Sequence, residues 1–245
     1  MARILLLETS TALCSVALSE DGKVVASRED ATRQHASLTA PFVKEVLDSQ
    51  GLSVRDCDAV CVSMGPGSYT GLRVGVSTAK GLCFGADLPL IAITSLETLA
   101  WQAPSLQEFC ALRTAPLPAL SAEAASGQWK YIVPMIDARR MEVYTCVYSS
   151  DIQQLTKIES KVVGPESFAS ELAAGPVLFI GDGAEKCKDV LNHPNAHFLQ
   201  CYPKASSMAK AAEAAFEQSR FENLAYFEPF YLKDFVATIP RRKLF

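Results

Sequence analysis

The residues best placed to bind a ligand lie in the glycine-rich string GPGSYTGLRVGVSTAKG, which begins at Gly65. The string follows a short apolar run and opens a helical pattern, where backbone N–H groups and a helix dipole can face an anion. Its spacing differs from GxGxxG, because Pro66 separates Gly65 from Gly67 and the next glycine is Gly71. We therefore predict a position near a nucleotide for Gly65, Pro66 and Gly67, without a generic phosphate loop.

The same string carries a stripe of small residues. Gly71 and Gly75 lie about one helical turn apart, and Ala79 follows one turn later. Such a stripe permits close approach of another helix, either within the chain or across an interface. We predict an interface, formed by Gly71, Leu72, Gly75, Val76 and Ala79 together with Leu38 and Phe42, and tight packing inside the chain is the alternative.

The histidines do not suggest catalysis. His193 and His197 are separated by three residues, but Pro194 blocks regular helical placement and no carboxylate cluster accompanies them. His35 lies in a polar stretch before a helix. No Ser/His/Asp or Cys/His arrangement can be recognised in these contexts, so we predict no catalytic residue and no metal site.

The elements that position these residues follow from hydrophobic periodicity. The runs 3–7, 14–18 and 23–27 predict a three-stranded meander whose first strand ends at Glu8. Apolar residues at i, i+4, i+5, i+8 and i+9 from Leu38 predict a helix that Gly51 ends, with Pro41 in its first turn. A buried strand over 58–64 and a helix over 70–84 complete the first unit.

The segment 104–128 is rich in Ala, Ser and Pro and is predicted to be a mobile insertion. After it, the same order of predicted strands begins again. Strands over 131–136, 142–148 and 177–180 repeat the first order, and Gly181-Asp182-Gly183 echoes the earlier glycine turn. A helix over 206–218 and an aromatic tail that packs back on the body follow. The duplicated β-meander plus helices predicts a two-lobed α/β, actin-like ATPase (ribonuclease H-like) fold, with lobes 1–103 and 104–245.

Composition narrows the functional class. The chain has a net charge of −4, which argues against a broad nucleic-acid footprint. Its eight cysteines are scattered without a CxxC pair, which favours reduced thiols. The N-terminal run lacks the features of a signal peptide, and no stretch approaches the roughly 20 apolar residues of a membrane span. We therefore expect a cytoplasmic protein with no membrane association.

Longer motifs give a more specific expectation. Six strings between Ile4 and Phe235 carry it: ILLLETSTALCSVAL, RQHASLTAPFV, AVCVSMGPGSYTGLRVGVSTAKGL, TSLETLA, MIDARRMEVYTCVY and PFYLKDF. In these strings the chain resembles the TsaB (YeaZ) family, and the resemblance covers nearly the whole chain. Glu8 stands where the family usually has Asp, which keeps the carboxylate and lengthens its reach.

The resemblance implies a non-catalytic paralogue of the carbamoyl transferase TsaD. Such a protein would support a TsaD-type transferase in a heterodimer, recruit a TsaE-type ATPase, and meet tRNA indirectly in the complex that forms threonylcarbamoyladenosine. It would hold no cofactor on its own, with ATP or ADP at an interface within the complex. Alone, it would form a homodimer through the same face of its first lobe.

A glycoprotease-like metallopeptidase and an actin-like small-molecule kinase are the alternatives. TsaD-type proteins bind a metal through HxxxH after the fifth strand, where this chain has Ser95 and Leu99, and neither can replace imidazole. Actin-like ATPases place an acid and a glycine-containing turn after the first strand. Here Glu8, Thr9 and Ser10 keep the acid and hydroxyls without the glycine, so we expect them near a nucleotide but without autonomous ATP hydrolysis.

Charged residues in the second half have open roles. Asp137 and Asp182 lie at bends comparable to Glu8 and are predicted to be turn and cap residues. Arg139 and Arg140 could meet an acidic partner or tRNA, and a solvated face is the equal alternative.

Overall fold

A computed structural model describes residues 2–103 and 129–233. The insertion predicted over 104–128 lies outside the described residues, as does the end of the predicted tail.

Residues up to 103 form the first lobe, a five-stranded sheet with helices. Its elements are β1 (Arg3–Glu8), β2 (Cys14–Glu20), β3 (Lys23–Asp30), α1 (His35–Asp48), β4 (Ala59–Gly65), α2 (Tyr69–Ala86), β5 (Leu90–Thr94) and α3 (Ser95–Ala100). The strand order is β3-β2-β1-β4-β5. The hairpin strand β2 is antiparallel to β1, whereas β4 and β5 join in parallel, because each is reached through a helical crossover.

The second lobe repeats this order. Its elements are β6 (Tyr131–Asp137), β7 (Glu142–Thr145), β8 (Tyr148–Ser149), β9 (Glu159–Val162), α4 (Ala169–Ala174), β10 (Val177–Ile180) and β11 (Ala196–Leu199). The sheet order β11-β10-β6-β7-β9 places β6 where the first lobe has β1 and β10 where it has β4. The predicted duplicated α/β architecture, with one sheet in each lobe, is confirmed.

Hydrophobic layers cover both faces of the first sheet. Alternate residues of β1, such as Leu5 and Leu7, point to a core shared with α1 and α2. Ile4 and Leu6 point to the opposite face, which is covered by α5 (Ala209–Glu217) and the 3-10 turn before it. The chain therefore returns from the second lobe to complete the core of the first.

Two details differ from the sequence-based expectation. Pro41 lies inside α1 rather than in its first turn, because the helix already begins at His35. The strand predicted over 142–148 is split, since β7 pairs with the end of β6 and β8 with its start. Pro134 of β6 lies between the two pairings and has no N–H for a ladder bond, and its carbonyl accepts the Thr145 hydroxyl at 2.7 Å instead.

The state of the cysteines and the character of the helices can be compared with the expectations drawn from composition. The seven described cysteines are free thiols, and all but Cys201 are buried. Burial raises the pKa of Cys57 and of Cys83 to about 11, which keeps both thiols protonated at neutral pH. No helix within 2–103 or 129–233 combines the length and the apolar character needed to cross a bilayer.

Candidate functional site

The bend after β1 buries its acid completely. Glu8 has no exposed surface, and one carboxylate oxygen, Oε1, accepts the backbone N–H of Ser10 at 2.6 Å. The other oxygen has no hydrogen-bond partner among the described residues. Burial raises the pKa of Glu8, and the hydrogen bonds from Ser10 oppose the rise. A carboxylate in this position is not open to solvent.

The start of α2 closes over this bend. The Ser68 N–H donates to the Ser10 carbonyl at 2.7 Å, and the Thr9 hydroxyl donates to the Gly71 carbonyl at 2.8 Å. A Cβ on Gly67 would meet the Ser10 carbonyl, and one on Gly71 the Thr9 carbonyl, closer than the 3.0 Å that real Cβ atoms respect. These two glycines are therefore explained by the approach of the chain to itself.

The C-terminal segment covers the turn after β4. The Phe230 N–H donates to the Met64 carbonyl at 2.8 Å, and a Cβ on Gly65 would lie 2.9 Å from the Phe230 carbonyl oxygen. Gly65 also has φ +105°, a conformation that favours glycine. The structure thus brings the six residues that we predicted near a nucleotide into one place: Glu8, Thr9, Ser10, Gly65, Pro66 and Gly67. The bend after β1 and the glycines Gly65 and Gly67 make their close contacts with the chain's own backbone. The presence of a nucleotide near these six residues stays a prediction.

The small-residue stripe packs inside the chain, which corrects the predicted interface. The residues Gly71, Leu72, Gly75, Val76 and Ala79 are all buried. A Cβ on Gly75 would clash with the Thr9 side chain, so the stripe exists to accommodate the β1–β2 bend. These five residues cannot contact a partner while α2 stays packed. Leu38 and Phe42 of α1 remain half-buried at the surface.

The opposite face of α2 is the surface that sequence reasoning missed. It presents residues at i, i+4, i+7, i+11 and i+14, namely Thr70, Val74, Ser77, Gly81 and Phe84. Phe84 is 85% exposed, and a Cβ on Gly81 or Gly85 would meet no described residue within 4 Å. The available signal was Gly81, the last glycine of the string, together with Gly85 after it, because no neighbour within 2–103 and 129–233 requires glycine at either position.

The bend after β6 is open, in contrast to the one after β1. Asp137 is exposed, and its carboxylate accepts the Arg139 N–H at 2.9 Å and forms an ion pair with Lys186. The Asp182 carboxylate accepts the Asp137 N–H at 3.0 Å. Both acids therefore hold the turn, as predicted. Burial raises the pKa of Asp182 to about 6, and the nearby Asp137 carboxylate adds to the rise.

The comparison with known proteins decides the family. The chain is 30% identical to the tRNA threonylcarbamoyladenosine biosynthesis protein TsaB of Escherichia coli K12, over 96% of both chains. The chain belongs to the TsaB family. The TsaB protein of Haemophilus influenzae is also 30% identical, over 94% of this chain and 93% of the relative. The solved structure of YeaZ from Pseudomonas aeruginosa superposes with a TM-score of 0.76 at 27% identity, over 95% of this chain and 100% of that one.

The first lobe of this TsaB-family chain also resembles a transferase. Residues 23–115 match the family model described as tRNA N6-adenosine threonylcarbamoyltransferase. The transferase of that name from Symbiobacterium thermophilum is 44% identical over 69 residues, which is 28% of this chain and 20% of the relative. The likeness to the transferases is thus local, whereas the likeness to TsaB spans the chain.

Ser95 and Leu99, the two positions that the sequence comparison set against a histidine pair, both make structural contacts. The Ser95 hydroxyl is buried and lies 2.7 Å from that of Ser63. Leu99 is fully buried in the core that α3 shares with the second lobe. Among residues 2–103 and 129–233, no group of three or more His, Cys, Asp and Glu is arranged to hold a metal ion. His193 accepts the Asn195 N–H, while His197 packs against Trp129, so these two imidazoles have separate structural roles.

Proposed function

We propose that this TsaB-family chain is a non-catalytic subunit in the formation of threonylcarbamoyladenosine on tRNA in the cytoplasm. It binds and supports a TsaD-type transferase through the outer face of α2, and the complex recruits a TsaE-type ATPase. The chain holds no cofactor on its own, and ATP or ADP lies at an interface within the complex. In the absence of the transferase, the same face joins two copies of the chain.

The outer face of α2 is the observation that carries this proposal. A glycine in an exposed helix interior costs roughly 1 kcal/mol relative to alanine, so Gly81 and Gly85 weaken the isolated helix. No contact among the described residues requires either glycine. Small residues allow a second helix to approach closely, and the exposed Phe84 ring adds an apolar anchor at the end of the face.

The first-lobe bend supports a non-catalytic role. An actin-like kinase needs an accessible acid and a backbone turn open to phosphate, whereas Glu8 is buried beneath α2. Ser95 and Leu99 likewise face the interior of the chain. In this proposal the TsaD-type transferase catalyses the reaction, and this chain contributes a surface that binds the transferase.

A matched pair of glycine substitutions tests the interface. Gly81→Arg places a long cation on the outer face of α2, where the added Cβ meets no described residue within 4 Å, so we expect the fold to be preserved. We expect binding of the TsaD-type transferase, measured by titration calorimetry, to weaken at least about 100-fold, because a buried unpaired charge costs several kcal/mol. Light scattering should also show the isolated variant as a monomer.

Gly164→Arg is the control, since Gly164 also has open space around its Cβ and lies in the second lobe. It should bind the transferase like the wild type. Equal binding by both variants would contradict the proposed interface. Loss of binding by both, with unchanged melting temperatures, would also contradict the assignment, because the effect would then not be specific to the outer face of α2.

A further inference from the structure

The turn between β6 and β7 presents two arginines from an unfavourable backbone. Arg139 has φ 74° and Arg140 has φ 51°, in the region that favours glycine. Both residues are exposed. Successive residues of this kind persist only where the surroundings hold them, and such positions cluster at functional sites.

Lys186 holds this turn from below. Its ammonium group donates to the carbonyl oxygens of Arg140 and Glu142, each at 2.7 Å, and it is paired with the Asp137 carboxylate. The three donors of the lysine are therefore used on the turn and its flanks. The backbone of Arg139 and Arg140 is fixed independently of their own side chains.

The acids that could neutralise the two arginines are engaged elsewhere. Asp137 binds Lys186 and the Arg139 N–H, and Asp182 accepts the Asp137 N–H. Glu142 accepts the Ser160 hydroxyl at 2.6 Å and pairs with Lys233. Within the described residues no ion pair or side-chain hydrogen bond involves the guanidinium of Arg139 or Arg140. The guanidinium groups of Arg139 and Arg140, with five N–H donors each, are therefore exposed to solvent on a turn whose backbone is held by Lys186.

The surroundings extend this basic surface towards the first lobe. The Lys233 ammonium group lies 5.6 Å from the ring centroid of Tyr144 in β7, and the Tyr69 hydroxyl at the start of α2 donates to the Lys233 carbonyl. Tyr69 in turn stacks on Tyr231 with ring centroids 4.8 Å apart. Surfaces that bind single-stranded RNA combine cations with aromatic side chains.

We propose that Arg139 and Arg140 bind backbone phosphates of the tRNA substrate. The guanidinium fork matches phosphate oxygens in a bidentate manner, and two successive arginines can contact one strand at neighbouring phosphates. A carboxylate offers similar geometry, but the family acts in a tRNA modification, so a polyanionic RNA is present in the reaction. A footprint of two residues also agrees with the net charge of −4, which disfavours a broad one. This inference rests on the proposed function.

The test uses the assembled complex with the TsaD-type transferase and an unmodified tRNA transcript. Arg139→Gln with Arg140→Gln should raise the Kd for the transcript at least about tenfold, because two charge-assisted hydrogen-bond contacts to phosphate are lost. The slope of log affinity against log salt concentration should fall by about 1.5 for the two lost phosphate contacts. Lys23→Gln with Arg55→Gln removes the same charge from two exposed first-lobe sites and should leave both quantities unchanged.

A second double variant separates RNA binding from folding. Arg139→Gly with Arg140→Gly loses the same charges, while glycine adopts positive φ without strain. Its melting temperature should equal or exceed that of the wild type, and its tRNA affinity should fall as in the glutamine variant. A purely structural role for the arginines predicts a lower melting temperature with normal affinity.

Three results would overturn the inference. Unchanged affinity and salt dependence in both double variants would exclude a phosphate contact. Loss of the TsaE-type ATPase with normal tRNA binding would assign the turn to an acidic protein partner. If the wild-type chain does not bind the transferase at all, the proposed function is contradicted and the inference is lost with it. If the double variants assemble normally with the transferase and bind the tRNA transcript as the wild type does, only the inference is overturned.

Discussion

The two lobes share one topology but differ in what covers the first bend. In each lobe the strand that pairs in parallel with the first strand, β4 or β10, leads into a glycine pair, Gly65 and Gly67 in the first lobe and Gly181 and Gly183 in the second. The first glycine of each pair has positive φ, +105° and +134°. In both lobes a Cβ on one of the pair would clash with a carbonyl within two residues of the end of the first strand, that of Ser10 in the first lobe and of Met135 in the second. The glycine turn is therefore a packing requirement of the repeated unit.

The difference begins immediately after that turn. The first lobe continues into α2, an 18-residue helix that buries Glu8, whereas the second continues into the 3-10 turn Glu185–Cys187. A single 3-10 turn is too short to cover the bend, so Asp137 stays exposed. The same topology thus gives two different bends. The bend after β1 is covered by α2, whose outer face is exposed, whereas the bend after β6 is open and presents Arg139 and Arg140.

The closed bend is most sharply tested at Gly71. Gly71→Ala should lower the free energy of unfolding by roughly 3 kcal/mol, because the new methyl group overlaps the Thr9 carbonyl and neither backbone segment can move freely. Urea unfolding of the purified chain measures the change. A loss below about 1 kcal/mol would show that the bend adapts easily and that the contrast between the lobes is overstated.

Sequence periodicity predicted the central strands of both sheets, because they are either alternating or continuously apolar. It did not predict β5, β9 and β11, which are short and lie at the sheet edges. β10 was predicted with its observed bounds, since four buried residues stand between Pro176 and Gly181. Helix α2 was predicted within a few residues at each end. The acid at each first bend was also visible as the polar residue that ends an apolar run.

The faces of α2 could not be assigned from one sequence. Gly71 and Gly81 are the same residue type in the same helix, and only the position of the Thr9 carbonyl makes one of them indispensable. That contact joins residues far apart in the chain, so local patterns carry no sign of it. The left-handed turn at Arg139 was hidden for the same reason, because Lys186 holds it from a distant segment.

The open bend predicts a pH effect centred on Asp182. Its pKa is raised from 3.8 to about 6 by burial, so the folded state holds the proton more tightly than the unfolded chain. The group therefore favours folding below about pH 4, and this contribution is lost as the pH rises through about 6. Asp182→Asn keeps an acceptor for the Asp137 N–H and removes the titration.

The measurement is the difference in unfolding free energy between wild type and Asp182→Asn at several pH values. Between about pH 4 and pH 7 the wild type should lose about 2 kcal/mol of unfolding free energy relative to Asp182→Asn. Other carboxylates titrate in both proteins and cancel in the difference. A difference that does not vary with pH would mean that Asp182 is as well solvated as an ordinary surface acid.

The smallest effect expected is at Gly81, and its sign is what matters. Gly81→Ala should raise the free energy of unfolding by about 0.5 to 1 kcal/mol, because alanine is the better helix former and its methyl group meets nothing within 4 Å. Gly71→Ala changes the same atoms in the same helix with the opposite sign, so urea unfolding of the two variants compares the two faces directly. If Gly81→Ala also destabilised the chain, the outer face would have a structural reason for glycine, and its exposure would no longer argue for a partner. A stabilised variant that binds the transferase less tightly would show that the glycine is kept for close approach of the partner at the expense of the isolated chain.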